Sequence, residues 1–337
     1  MNWEAKRMRF KRIHPNDMFR FFSTIDPSTH ILLCTHENPD IDGVSSLGVL
    51  FHWLTSKGFS VQSIIQPPIP GEQYLHGVST ASTDPSLLQL QKTPVVVSLD
   101  CATSERIWPQ SILSNANMCV NIDHHIDNPM FGDQNYVDPA LCSTAELMYT
   151  ELKKVESELP LEILENCYAG ILFDTGGFRY SNTTASTLQH AKELVQRGVH
   201  PAIMAQNVFQ SYTSQTFQAL QCALQNCMYE KQTPSYVFTY VSNHMIQEHQ
   251  LASHDFEGVI DILRLHQSTD IVVLVRELEP NQWRGSIRSV ERYSILGIAH
   301  SFLGGGHHNA AGFSFQGTLP ELQKRILTQI SSLPNYD

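Results

Sequence analysis

Four short apolar runs shape the first part of the chain: "HILLC" (30–34), "FSVQSII" (59–65), "PVVVSLD" (94–100) and "MCVNIDHH" (118–125). Leucine-rich and β-branched stretches of this length fit strands buried inside a layered α/β fold. Three of them break off abruptly into carboxylates and imidazoles, so their polar ends share the C-terminal side of the strands. In an open parallel sheet that edge is where ligands bind. His36, Asp40, Asp100 and His124 would therefore gather there if the strands are neighbours.

Helix-period stretches separate and follow these runs. One spans about Val44 to Lys57 and stops at Gly58; another is the amphipathic "TAELMYTELKKVESEL". In "LEILENCYAGILFDTGG", Leu164, Cys167, Tyr168, Ile171 and Leu172 recur at helical spacing, which predicts a buried helix with Asp174 in its last turn and Gly176 and Gly177 ending it. Helical text continues to about Glu230. A second set then begins: "SYVFTYVS", a helix near 256–266, two alternating strands around "EPNQ" that read as a hairpin, a helix near 293–303, "GGGHHNAAGFSFQG", and a last helix after Leu319. A chain of 337 residues accommodates two domains. The expected architecture is α/β: residues 1–190 as a mostly parallel sheet flanked by helices, 191–232 as a helical linker, and 233–337 as a smaller α/β domain with a mixed sheet. A cleft between the two domains is expected.

Composition narrows the function. The net charge of −11 argues against a general nucleic-acid coat, since sequence-independent affinity for phosphate chains comes from clustered Lys and Arg. It leaves room for a small phosphorylated ligand, because bound cations can make a cleft locally positive. The seven cysteines include no CxxC pair, so a disulfide framework or zinc knuckle is not expected. No run approaches the length of a membrane span. The basic opening "MNWEAKRMRFKRIH" is followed by an apolar run too short and too late for a secretory signal, and a cytoplasmic location is expected.

Each polar cluster has two readings. In "THENPDIDG", His36, Asp40 and Asp42 either fan around an ion from a loop at the strand end or belong to an Asn-Pro turn that caps the next helix. Asp100 is either a ligand or a turn residue. Asp123, His124 and His125 are consecutive, and on extended backbone such side chains alternate sides, so at most one or two can face one ion. Asp174 at the C-terminal end of a helix opposes the helix dipole and needs a positive neighbour, either Arg179 or a metal. Taken together, His36, Asp40, Asp42, Asp100, His124 and Asp174 suit Mn2+ or Mg2+ better than structural zinc. They exceed what one ion requires. Two ions about 3.5 to 4 Å apart, bridged by a carboxylate, are the arrangement that activates water for phosphoryl displacement.

"NPDIDG", "VSLD", "NIDHH", "DTGGFRY" and "GGGHHNAAGF", in this order over about residues 14–331, resemble the successive motifs of DHH phosphoesterases with a DHH-associated C-terminal domain, and most of all the bacterial oligoribonuclease and pAp phosphatase subgroup. The resemblance implies one ion on His36, Asp40 and Asp100 and a second on Asp42, Asp100, His124 and Asp174. His125 would face the scissile phosphate, and Asp123 would orient a histidine. Ile41 stands where many relatives have glycine, and Gly177 occupies a variable position; neither departure removes a ligand. In the second domain the resemblance implies nucleotide binding by Arg288, Gly305, Gly306 and His307, and Arg179 is a further candidate contact. Arg264, Arg276, Arg284 and Arg292 either add positive potential or are ordinary surface residues.

The implied activity is Mn2+-dependent hydrolysis of short oligoribonucleotides and 3'-phosphoadenosine 5'-phosphate (pAp) to mononucleotides, with Mg2+ or Co2+ as substitutes for Mn2+. The implied partners are short single-stranded RNA or nucleotides and no membrane, with a homodimer as candidate assembly. A cyclic di-AMP or linear pApA phosphodiesterase is the alternative. A RecJ-like exonuclease, a family-II pyrophosphatase and a silent nucleotide sensor fit less well.

Overall fold

The computed structural model describes residues 18–88, 94–209, 213–256, 258–290 and 292–334 and, for His307, the backbone alone. The chain divides into two compact units, Met1–Ser211 and Tyr212–Asp337.

In the first unit, α1 (Met18–Phe22) precedes β1 (His30–Cys34), α2 (Ile41–Ser56), β2 (Ser60–Ile64), β3 (Val95–Leu99), β4 (Met118–Asp123) and β5 (Gln134–Val137). Helices α3 (Thr144–Val155), α4 (Leu161–Asp174), α5 (Ala185–Gln196) and α6 (Pro201–Phe209) follow. The strands form a parallel sheet of order β2-β1-β3-β4-β5. Every residue of β1 and β3 is buried, which explains the apolar runs. Alternate side chains serve two cores. Ile31, Leu33, Val95, Val97 and Leu99 face the helical layer, while Leu32, Cys34 and Val96 join Cys101, Ile107, Ile112 and Cys119 on the other side. All seven cysteines are free thiols and six are buried, in keeping with their use as small apolar residues.

The order of strands reverses between β1 and β3, the switch point of the sheet. Helix α2 starts at Ile41, earlier than the sequence suggests, because Asp40 is its N-cap and accepts from Gly43 N at 3.1 Å. Asp42 thus lies in the first helical turn and not in a loop. Strand β4 ends at Asp123, which frees His124 and His125 from strict alternation. The short strand β5, with its polar "QNYV", was not anticipated.

The second unit holds α7 (Ser214–Gln225), β6 (Met228–Glu230), β7 (Tyr236–Val241), α8 (Asn243–Glu248), α9 (Val259–Leu263), β8 (Ile271–Glu279), β9 (Gln282–Ser289), α10 (Leu296–His300), β10 (Gly305–His307), β11 (Ala310–Gln316) and α11 (Leu319–Ile330). Its six strands form a mixed sheet in the order β10-β11-β9-β8-β7-β6, in which the β7/β8 pair alone is parallel. The "GGGHHNAAGF" stretch is a β10–β11 hairpin at the sheet edge. Helix α9 is shorter than expected because Gly258, at φ +76°, sets its start.

Asp270 ties three segments of this unit. Its carboxylate accepts from Ser235 N at 2.8 Å, from Ser235 Oγ at 3.0 Å and from Arg292 Nη2. Burial alone would raise its pKa, but these donors hold it below the ordinary value. A depressed carboxylate contributes stability that is complete above its unfolded pKa and lost as pH falls through the folded one. Asp270→Asn should therefore cost about 1 to 3 kcal/mol at pH 7. The deficit should shrink as pH falls below the usual carboxylate range, and denaturant melts at several pH values check this.

Candidate metal centre

The carboxyl ends of β1, β3 and β4 deliver the groups anticipated from sequence. His36 follows β1, Asp40 and Asp42 open α2, Asp100 follows β3, His124 and His125 follow β4, and Asp174 closes α4. The ligand-capable atoms fall into three groups that share members: His36, Asp40 and Asp100; Asp42, His124 and Asp174; Asp100, His124 and His125.

Asp100 is the hub. Its Oδ2 lies 3.7 Å from His36 Nε2 and its Oδ1 lies 3.6 Å from His124 Nε2. His36 Nε2 is 3.9 Å from Asp40 Oδ2, and His124 Nε2 is 3.2 Å from Asp174 Oδ2. Most of these separations exceed hydrogen-bond length. They suit atoms that share an ion, since ligands at about 2.0 to 2.2 Å from a metal sit roughly 3 to 4 Å apart. The residues present therefore fit divalent cations.

Electrostatics favour the same reading. Burial, and then the charges of Asp100 and Asp174, push Asp42 well above the carboxylate range and Asp40 up to about 7. Asp174 is likewise raised, chiefly by burial, although His124 opposes the shift. Burial would also raise Asp100, but His36, His124 and His125 pull it far down. Burial would lower His124, yet Asp174 and Asp100 hold it well above its ordinary value. Without cations, this cluster must take up protons to relieve its own repulsion.

The backbone fixes the geometry. Asp100 adopts a left-handed conformation at φ +57°, which Asp tolerates better than most residues. Its N–H donates to Ile122 O at 2.9 Å. Gly43 allows the close approach, because a Cβ there would lie 2.5 Å from Thr35 Oγ1 and 3.3 Å from Asp100 Oδ2. The N-terminus of α3 grips the cluster from the other side. Thr144 N and Ala145 N donate to the two oxygens of Asp42 at 2.7 and 2.9 Å, and Thr144 Oγ1 donates to Asp100 Oδ1 at 3.0 Å. Thr144 was not anticipated. Its signal was the Ser143/Glu146 spacing of a helix start, which the structure forms with Ser143 Oγ accepting from Glu146 N and Glu146 Oε2 from Cys142 N.

Asp123 meets His125. Its Oδ1 lies 2.7 Å from His125 Nδ1, and its Oδ2 accepts from Asn128 Nδ2 at 2.5 Å. His125 Nδ1 is thereby engaged, although it also lies 3.8 Å from Asp100 Oδ1. The positive neighbour of Asp174 is His124. Arg179 is exposed and its Nε donates to Gly176 O, within its own turn.

In the second unit, Arg288 on β9 is half-buried, with Nε 4.0 Å from Asp261 Oδ1. His307 pairs with Ala310, and Ala310 with Arg288, across three adjacent strands. The side chain of His307 lies outside the described residues. Gly306 has φ +142°, and a Cβ there would sit 2.4 Å from Ala310 O, so glycine is required. Gly305 is open and lines a hollow of about 310 Å³ with Arg284 and Ser314.

Among the described residues no helix is long and apolar enough to cross a membrane. A parallel sheet whose carboxyl edge gathers carboxylates and imidazoles able to hold divalent cations defines the class, an α/β protein with a candidate metal centre. Residues 30–171 match the DHH family, N-terminal domain, and residues 234–332 match the DHHA1 domain. The chain belongs to the DHH family. It is 28% identical over 306 residues to the bifunctional oligoribonuclease and PAP phosphatase NrnA of Thermus thermophilus, covering 89% of each chain. An exopolyphosphatase-related protein from Bacteroides fragilis shares the fold, with a TM-score of 0.83 at 22% identity over 94% of this chain and 95% of that one. The exonuclease RecJ bound to manganese is more distant, with a TM-score of 0.55 at 14% identity over 97% and 96% of the two chains.

Thr144→Val should weaken divalent-ion binding by about 10- to 100-fold, as removal of groups that orient ligands typically does, while Thr144→Ser should retain it. Calorimetric titration with Mn2+ checks this; equal affinity in the valine variant would mean that Asp100 is held without the hydroxyl.

Proposed function

We propose that this chain, a DHH-family phosphoesterase, hydrolyses short oligoribonucleotides and pAp to mononucleotides with the aid of two Mn2+ ions. The observation that carries the proposal is Asp100, which turns one carboxylate oxygen to His36 and the other to His124. In this reading His36, Asp40 and Asp100 hold one ion, and Asp42, Asp100, His124 and Asp174 hold the other. The mixture of carboxylate and imidazole suits Mn2+, with Mg2+ or Co2+ as substitutes. The relative named oligoribonuclease and PAP phosphatase supports the substrate class, and the manganese in RecJ supports the metal.

Bound ions supply a water acidic enough to attack at neutral pH, and they offset the charge of the reacting phosphate. The chain's own groups do the rest. Asp123 accepts from His125 Nδ1, which leaves Nε2 as the nitrogen available to a phosphate oxygen, a donor to it when the ring is an imidazolium. Burial would lower the His125 pKa, but Asp123 and then Asp100 raise it, which favours that protonated ring. Asn128 holds Asp123 in turn. In the second unit Arg288, the backbone of Gly305 and Gly306, and His307 would bind the remainder of the nucleotide, with Arg179 as a further contact. A cytoplasmic homodimer completes the reading.

The decisive assay incubates the protein with Mn2+ and, side by side, RNA of two to five nucleotides, pAp, linear pApA, cyclic di-AMP and pyrophosphate. Short RNA and pAp should be cleaved. Cleavage of pyrophosphate alone would overturn the assignment. Asp100→Ala should abolish both turnover and metal binding, and His125→Ala should lower kcat by about 10²- to 10⁴-fold with metal retained. Arg288→Ala should raise KM by about 10- to 100-fold without loss of metal.

A further inference from the structure

Arg106 belongs to none of the motifs and has no part in the site described so far. It ends the short 3-10 turn Ser104–Arg106 after β3, and that turn is stitched to the segment bearing His36. Glu37 N donates to Arg106 O at 2.7 Å, Trp108 N donates to Thr35 O at 3.2 Å, and His36 bridges to Ile107. The half-buried guanidinium of Arg106 places Nη2 3.2 Å from His36 Nδ1. The same ring nitrogen lies 2.8 Å from Glu37 O.

These two contacts exclude each other. A guanidinium only donates and a carbonyl only accepts, so Nδ1 needs a lone pair for the first and a proton for the second. The shorter contact is the one to Glu37, and Nε2 faces Asp40 Oδ2 and Asp100 Oδ2 at 3.9 and 3.7 Å. The contact to Glu37 puts a proton on Nδ1, and Nε2, which faces two carboxylates, then needs either a bound cation or a second proton. A ring that offers Nε2 to a cation carries that proton, and so does an imidazolium. In either state Arg106 loses its acceptor. No carboxylate among the described residues forms an ion pair with it. A half-buried cation left in that condition calls for an anion from outside the chain.

We infer that Arg106 is a phosphate-binding residue, one that engages non-bridging oxygens of the reacting nucleotide phosphate on the His36 side of the metal centre. The inference rests on the phosphoesterase reading. The planar fork of arginine suits paired phosphate oxygens. The turn holding Arg106 and the strand end holding His36 are joined by backbone hydrogen bonds, so cation and metal ligand keep a fixed spacing. A phosphate bound between them meets positive charge from two sides.

The test compares wild type with Arg106→Met, which keeps the aliphatic stem, and with Arg106→Lys, which keeps the charge without the fork. Metal content, melting temperature and calorimetric binding of AMP, inorganic phosphate and adenosine are measured on the Mn2+-loaded proteins. Arg106→Met should keep its metal and melting temperature, bind AMP and phosphate about 10- to 100-fold more weakly, and bind adenosine unchanged. Arg106→Lys should lose less in the same direction, and it serves as the readout if the methionine variant does not fold. Wild-type affinity for AMP in both variants overturns the inference. So does a loss of metal that parallels the loss of AMP, because Arg106 would then act through His36. Wild-type protein that binds AMP but cleaves no phosphoester would sink the phosphoesterase reading, leaving the AMP comparison to decide the role of Arg106.

Discussion

Four aspartates crowded at one edge of a parallel sheet, two of them buried and two half-buried, repel one another, and the first unit is organised around that repulsion. Asp40 and Asp42 come from the start of α2, Asp174 from the end of α4 and Asp100 from the end of β3. Burial would drive all four toward the neutral form. The fold offsets this only in part. Imidazoles stand against Asp100 and Asp174, and the N-terminus of α3 directs two N–H groups at Asp42, a favourable placement for an anion at a helix start. The remaining imbalance is what suits the cluster to hold cations. A core built only for stability would have replaced these groups with apolar residues.

Rigid backbone makes the arrangement sustainable. Asp100 sits directly after a fully buried strand, in a left-handed conformation that side chains other than glycine seldom adopt. Such a conformation costs about 1 to 3 kcal/mol and persists only where the surroundings enforce it. Here Ile122 O, Thr144 Oγ1 and the absent side chain of Gly43 enforce it together. The strain aims both oxygens of one carboxylate at separate imidazoles. Thr144 and Asp42 are 102 residues apart in sequence, so chain topology brings the clamp together.

That distance also explains what sequence could and could not reveal. Strand runs such as "PVVVSLD" were legible because burial on both faces leaves a continuous apolar signature, and the polar residue that ends each run marks the sheet edge. His36, Asp40, Asp100 and His124 followed from those ends, and Asp174 from the end of a helix-period run. The choice between cap and ligand for Asp40 was not decidable locally, and the structure shows why: Oδ1 caps α2 while Oδ2 faces His36. Thr144 was missed because it acts on Asp100, a partner 44 residues away that only tertiary folding supplies, and the closeness of Arg106 to His36, 70 residues away, was hidden for the same reason. β5 was missed because a four-residue strand that opens on two polar residues carries little periodic signal. The "GGGHH" stretch gave no strand signal, since glycine carries no β preference of its own.

Charge balance bears on how many ions such a cluster accepts. Four ionised aspartates bring four negative charges, and imidazoles that ligate a metal do so in the neutral form. One divalent ion would leave two negative charges buried without compensation, whereas two would leave none. Asp100 is the residue through which both would be held, because its two oxygens serve different histidines. A neutralised site can then admit an anionic phosphate, which an uncompensated cluster would repel. The surplus of carboxylates that opposes phosphate in the bare protein therefore becomes, once two cations are bound, the means of attracting it.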